Sequence, residues 1–308
     1  MADNNFPESY SMFANVHSYL GLPLSRDIES ADVVVMGIPY DMGTTGRAGT
    51  RHGPQGVRLA SANLRWEEKR WPWQFSVMDR LNVIDYGDLE FKPGESTSMI
   101  ETVIKHAGAV HEKGKKTLCI GGDHFVTLPL LRAMHQHHGP VALVHFDAHT
   151  DTYTPEEDWS GDYDHGCMFY HAPKEGLIDP AHSIQVGIRT EYNTKTHLFE
   201  VIDAASANDL TSADVVAAIK QRVGEMPVYL TFDIDCLDPA YAPGTGTPVV
   251  GGITTDRALK IIRGLQGLNI VGADVVEVAP SYDHAEITAL AAATIGLEIL
   301  YVMASNLQ

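Results

Sequence analysis

Three segments of this chain each end a run of apolar residues in a cluster of acids and histidines: Gly121-Gly122-Asp123-His124, Asp147-Ala148-His149-Thr150-Asp151 and Asp233-Ile234-Asp235. Side chains of an extended segment alternate between faces, so Asp147, His149 and Asp151 are expected to share one side, as are Asp233 and Asp235. With His124 arriving from a third segment, four carboxylates and two imidazoles converge. Without counter-charge such carboxylates repel, and burial would force protons onto some of them. Two divalent cations balance the four charges. Mixed carboxylate and imidazole ligands without thiolate suit Mn²⁺; Zn²⁺ and Fe²⁺ fit less well, and the histidines disfavour Mg²⁺. A cap or turn explains one aspartate, but neither calls for two histidines together with D-x-H-x-D spacing. His145 has the parity of Asp147 but lies about 7 Å deeper along a strand, which favours a supporting role over ligation.

These segments need a scaffold. Short β-branched runs at 33–37, 82–86, 117–120, 141–146, 184–188, 228–232 and 270–276 read as strands. Helical spacing at 54–64, 97–112, 126–137, 212–223, 256–265 and 286–303 separates them, with Ser212 and Asp256 where N-caps are expected. The βαβ rhythm, with strands apolar at consecutive positions, predicts an α/β fold: a three-layer α/β/α arrangement around a mainly parallel sheet. Ligands of such sheets bind at the carboxyl ends of the strands, where the acidic clusters fall. His135, His137 and His138 before Gly139 read as a helix C-terminus, favoured by the helix dipole. The loop 46–53 matches neither GxGxxG nor GxxxxGKS, and Arg51 and His52 in it either line the site or brace its loops.

Composition narrows the functional classes. The 308 residues are 44% hydrophobic and 20% charged, with no linker or repeat, so one domain over 1–308 is expected. A formal charge of −18 argues against nucleic acid, whose phosphates need clustered Lys and Arg. Residues 1–10 are polar and acidic, and no stretch reads as apolar over the roughly 18 residues that span a bilayer. A cytoplasmic protein without a membrane partner follows as the expectation. Cys119, Cys167 and Cys236 are few, odd in number and without CxxC spacing, and are expected as small core or wall residues.

The GGDH, DAHTD and TFDIDCLDP segments resemble the three metal motifs of the ureohydrolases, the family of arginases and agmatinases. The likeness runs from Gly37-Ile38-Pro39-Tyr40-Asp41 and the 46–54 loop to Val275-Val276-Glu277-Val278-Ala279-Pro280. Wording such as Asp164-His165-Gly166 and the segment 174–180 is similar to bacterial agmatinases in particular. The resemblance implies an arginase-like fold and two Mn²⁺ per chain. One ion would take His124, Asp147, Asp151 and Asp233; the other would take Asp147, His149, Asp233 and Asp235. It leaves Asp123 outside the ligand set as a supporting residue and Asp238 as a turn residue before Pro239. His165 matches the family's proton-shuttling loop histidine, and Glu277 the carboxylate that grips the guanidinium. A homo-oligomer, trimer or hexamer, is implied as well.

A guanidinium keeps its proton to a pH above ~12 and is a poor electrophile, so a strong nucleophile is required. Two metals sharing a water bring its pKa towards ~7, and the bridging hydroxide would attack while His165 protonates the leaving amine. Agmatine, giving putrescine and urea, is the expected substrate. Where arginases carry an asparagine two residues after the last DAHTD aspartate, this chain has Tyr153. The loop continues through Glu156, Glu157, Asp158, Asp162 and Asp164 without a Lys or Arg, which disfavours arginine's carboxylate and suits agmatine's ammonium. Another ureohydrolase specificity (arginase or guanidinobutyrase), a mononuclear zinc deacetylase and a non-catalytic polyamine-binding protein are the rival readings.

Overall fold

The computed structural model describes residues 17–154 and 163–307. The apolar runs form β1 (Val33–Ile38), β2 (Val83–Asp88), β3 (Lys116–Gly121), β4 (Ala142–Phe146), β5 (Ile184–Ile188), β6 (Glu200–Asp203), β7 (Val228–Asp233) and β8 (Ile270–Val276). The helices are α1 (Gly53–Ser61), α2 (Ser96–Glu112), α3 (Thr127–His138), α4 (Met168–Lys174), α5 (Ala204–Asp209), α6 (Ser212–Val223), α7 (Thr255–Gly264) and α8 (Ile287–Ser305). All eight strands pair in parallel in the order β2-β1-β3-β8-β7-β4-β5-β6. Every residue of β1, β4, β5, β7 and β8 is buried, as strands covered on both faces require. Alternation along β1 divides the core: Val33 and Val35 pack with residues of α1, α6, α7 and α8, while Val34 and Met36 pack with those of α2, α3 and α4. This is the expected three-layer α/β/α architecture.

Several local readings shift. Helices α6 and α7 are capped by Thr211 and Thr254, not Ser212 and Asp256; the threonine hydroxyls accept from Asp214 N and Arg257 N, each at 3.1 Å. The expectation that no stretch is apolar enough to span a bilayer is corrected by α8, which has 19 residues and the necessary apolarity. Most of α8 is buried inside the fold, and a helix apolar all round is what a covered core position demands. Strand β6 and helices α4 and α5 escaped the sequence reading. The first is a four-residue edge with only Ile202 buried, and α4 carries Pro173 in its interior.

The sheet order sets the site. Strands β3, β8, β7 and β4 are consecutive neighbours, and their carboxyl ends lead into His124, Glu277, Asp233 and Asp147. Gly122 lets the β1 and β3 loops meet, since a Cβ there would overlap the Tyr40 carbonyl, which accepts from Asp123 N.

Candidate metal centre

All six histidine and aspartate residues expected as ligands converge, but not because an extended backbone alternates. Strand β4 ends at Phe146, and beyond it the Asp147 carboxylate accepts from His149 N at 2.6 Å, closing an Asx turn. Asp233 repeats the device at the end of β7, accepting from Asp235 N at 2.7 Å. Asp151 then turns back with φ of 51°, a left-handed conformation uncommon for a non-glycine residue. Turns, rather than strand parity, aim these side chains into one pocket.

His124 Nδ1 lies 3.1 Å from Asp147 Oδ2, 2.9 Å from Asp151 Oδ2 and 3.3 Å from Asp233 Oδ2. It is buried, yet no oxygen completes a hydrogen bond along its ring N–H direction. On the other side of Asp147, His149 Nδ1 is 3.4 Å from Asp147 Oδ1 and 3.1 Å from Asp235 Oδ2. Donors about 2.1 Å from one first-row ion stand about 3 Å apart when adjacent in its shell. Both groups meet that spacing, and Asp147 offers one oxygen to each. The residues therefore fit divalent cations.

The electrostatics agree. Burial, followed by Asp147, pushes Asp151 up to about 6. Burial, then Asp235 and Asp147, holds the Asp233 carboxyl well above its usual range. Burial works against the imidazolium of His124, but the surrounding carboxylates outweigh it and raise this group well. Metal-free, the cluster gathers protons where cations would stand.

His145 departs from the depth expected of it: its Nε2 lies 2.7 Å from Asp147 Oδ2, within the group of possible donors that it forms with His124, Asp147 and Asp151. Its Nδ1 faces Gln185 Nε2 at 2.8 Å, so the ring proton sits on Nε2, turned to Asp147. Gln185, unremarked in the sequence, also donates to the Thr150 carbonyl and accepts from His197.

Beside these groups lies a second pair. Glu277 follows β8 with φ of 64°, is buried, and accepts at Oε1 from His124 N and His165 Nδ1, both at 2.8 Å. Its Oε2 is buried without a partner. Burial lowers the affinity of His165 for a proton, but Glu277 overrides this and raises the imidazole to about 9. His165 Nε2 sits 3.1 Å from Thr45 N and 2.7 Å from the Thr45 hydroxyl, so it finds an acceptor when protonated and a donor when not. Nothing in the sequence marked Thr45; only the fold brings its loop here. Asp123 takes the supporting place expected of it, accepting from Gly43 N at 2.7 Å, while burial, then Glu277, raises its carboxyl well above the usual range.

Tyr153 donates its backbone N–H to Gly166 O, and Asp164 is buried with its carboxylate on Gly166 N, so both shape the loop that presents His165. Glu156, Glu157, Asp158 and Asp162 lie outside the described residues. Arg51 pairs with Asp41, which also accepts from Gly49 N, and so braces its loop. Asp238 holds a turn through Ala240, Gly251 and Gly252 N–H groups, and His135, His137 and His138 end α3 before Gly139. The three cysteines are buried and form no disulfide.

An α/β sheet carrying a carboxylate–imidazole metal site at its carboxyl edge defines the class. The family model of the Arginase family matches residues 31–301. An agmatinase of Serratia proteamaculans is 59% identical over 298 residues, 96% of each chain. A crystal structure of a hypothetical agmatinase from Burkholderia thailandensis superposes with a TM-score of 0.91 at 45% identity, covering 97% of this chain and 96% of that one. Proclavaminate amidino hydrolase from Streptomyces clavuligerus follows at a TM-score of 0.90 and 37% identity, with 96% and 99% covered. The chain belongs to the arginase family.

Proposed function

We propose that this protein hydrolyses agmatine to putrescine and urea with two Mn²⁺ ions, held by His124, Asp147, Asp151 and Asp233 and by Asp147, His149, Asp233 and Asp235. The observation that carries the reading is Glu277 Oε2, a buried carboxylate oxygen without a partner beside the metal-binding groups. An unmatched buried acid is costly, and a guanidinium N–H satisfies it with a charge-assisted hydrogen bond. Bound in this centre, divalent cations lower the pKa of water towards ~7 and so supply a nucleophile at neutral pH. Glu277 orients the guanidinium against it. His165, held protonated by Glu277 up to about 9, gives its proton to the departing amine as general acid.

Agmatine is favoured by the relatives named agmatinases and by the acidic loop, which lacks any Lys or Arg between Tyr153 and His165. The 37%-identical amidino hydrolase with a different named substrate keeps a second specificity in view. Purified protein with Mn²⁺, given agmatine, arginine and 4-guanidinobutyrate at equal concentration, is expected to release urea with kcat/KM at least roughly 100-fold higher for agmatine. Equal consumption of either carboxylate-bearing substrate would remove the charge argument; no urea from any of them would remove the function. A homo-oligomer, trimer or hexamer, belongs to the same proposal, and a monomeric mass by light scattering would reject it.

A further inference from the structure

Behind His124, on the side away from the carboxylates, runs a fully buried chain of hydroxyls that ends on an acid. His124 Nε2 stands 2.8 Å from Thr231 Oγ1, and Thr231 Oγ1 donates to Asp274 Oδ1 at 2.5 Å. The other oxygen, Asp274 Oδ2, accepts from Tyr229 OH at 2.6 Å and from Thr127 Oγ1 at 2.8 Å. His124, Thr231, Asp274, Tyr229 and Thr127 have no solvent exposure. The parallel register places Thr231 on β7 directly opposite Asp274 on β8.

Donor and acceptor arithmetic leaves one arrangement. A hydroxyl has one proton, and Thr231 gives its own to Asp274, so towards His124 it can only accept. Nε2 then always carries a proton, so the neutral imidazole that a metal requires has its lone pair on Nδ1, facing the three carboxylates. We infer that Asp274, acting through Thr231, is a positioning residue that dictates which nitrogen of His124 faces the metal centre. This rests on the reading of the centre as a metal site. The chemistry is that of a ligating imidazole whose second nitrogen is held by a hydrogen-bond acceptor; here a threonine hydroxyl stands between ring and acid, and one carboxylate orders three hydroxyls at once.

Asp274→Asn inverts the logic with little change of shape. If the amide oxygen keeps the Tyr229 and Thr127 hydroxyls, its NH₂ group faces Thr231. The Thr231 proton must then point at His124 Nε2, which drives the ring proton to Nδ1 and blocks coordination. Thr231→Val removes the acceptor without the amide, and Thr231→Ser restores it. Tyr229→Phe is the control: it removes one hydrogen bond donated to the same acid but leaves the Thr231 branch intact.

The test is Mn²⁺ affinity of the metal-stripped full-length chain, read by competition with a chelating indicator, with far-UV circular dichroism to confirm folding. Asp274→Asn and Thr231→Val are expected to weaken Mn²⁺ binding roughly 10–100-fold, with Thr231→Ser and Tyr229→Phe within about threefold of wild type. Wild-type affinity in folded Thr231→Val overturns the inference, whatever Asp274→Asn does. So does a Tyr229→Phe loss as large as that of Thr231→Val, which would mark the cluster as mere packing. If the wild-type protein itself binds no divalent ion, the metal reading falls, and the inference with it.

Discussion

Asp147→Asn is expected to strip the protein of bound metal and lower kcat for agmatine at least about 10³-fold, a barrier increase of roughly 4 kcal/mol. Asp147 touches both groups of donors, with Oδ2 3.1 Å from His124 Nδ1 and Oδ1 3.4 Å from His149 Nδ1. Each of its oxygens also already accepts a hydrogen bond, from His145 Nε2 and from His149 N. An amide has one oxygen, so its NH₂ group must face one of these donors and the adjoining ion. The side-chain volume hardly changes, which separates the effect from unfolding. Metal content after desalting, measured beside turnover at saturating Mn²⁺, decides the matter. Full metal content with wild-type turnover would show that this carboxylate is not shared.

Glu277→Gln is expected to lower kcat/KM for agmatine by roughly 10²–10³-fold while leaving metal content intact. Oε1 is occupied by His124 N and His165 Nδ1, so the amide oxygen stays there and NH₂ takes the place of the unpartnered Oε2. A guanidinium would then meet a donor. The same change removes the largest influence raising His165, whose pKa stands at about 9 against the pull of burial. A general acid works below its pKa, so activity should fall as pH rises past about 9 in the wild type and at a lower pH in the variant. Turnover within tenfold of wild type, with an unmoved alkaline limb, would count against both roles given to Glu277.

The residues that converge were legible because acids and histidines stand at the ends of apolar runs, where a parallel sheet places its binding sites. How they converge was not legible. D-x-H and D-x-D spacing reads alike in an extended strand and in an Asx turn, and only the hydrogen bonds to His149 N and Asp235 N decide for the turn. Strand β6 offers one buried side chain in four residues, too little for a periodicity. Helix α8 read correctly as a helix, but Thr288, Thr294 and Glu298 masked how apolar the whole segment is. Thr231 and Asp274 were visible as letters 43 positions apart, and nothing short of the β7–β8 register makes them neighbours.

Strand β8 is the last of the eight in the sequence, yet it lies between β3 and β7, in the interior of the sheet. Until it is in place the strands fall into two blocks, β2-β1-β3 and β7-β4-β5-β6, each with an open edge. His124 belongs to the first block, and the four aspartates and His149 to the second. A chain growing from its N-terminus therefore has every expected ligand before residue 236, with Asp147, His149, Asp233 and Asp235 already at the ends of the neighbouring strands β4 and β7, but His124 joins them only through β8, which brings Asp274 and Glu277 and is made afterwards. Completion of the donor group around His124 thus waits on the final long-range pairing, whereas the group around His149 needs only the earlier pairing of β4 with β7.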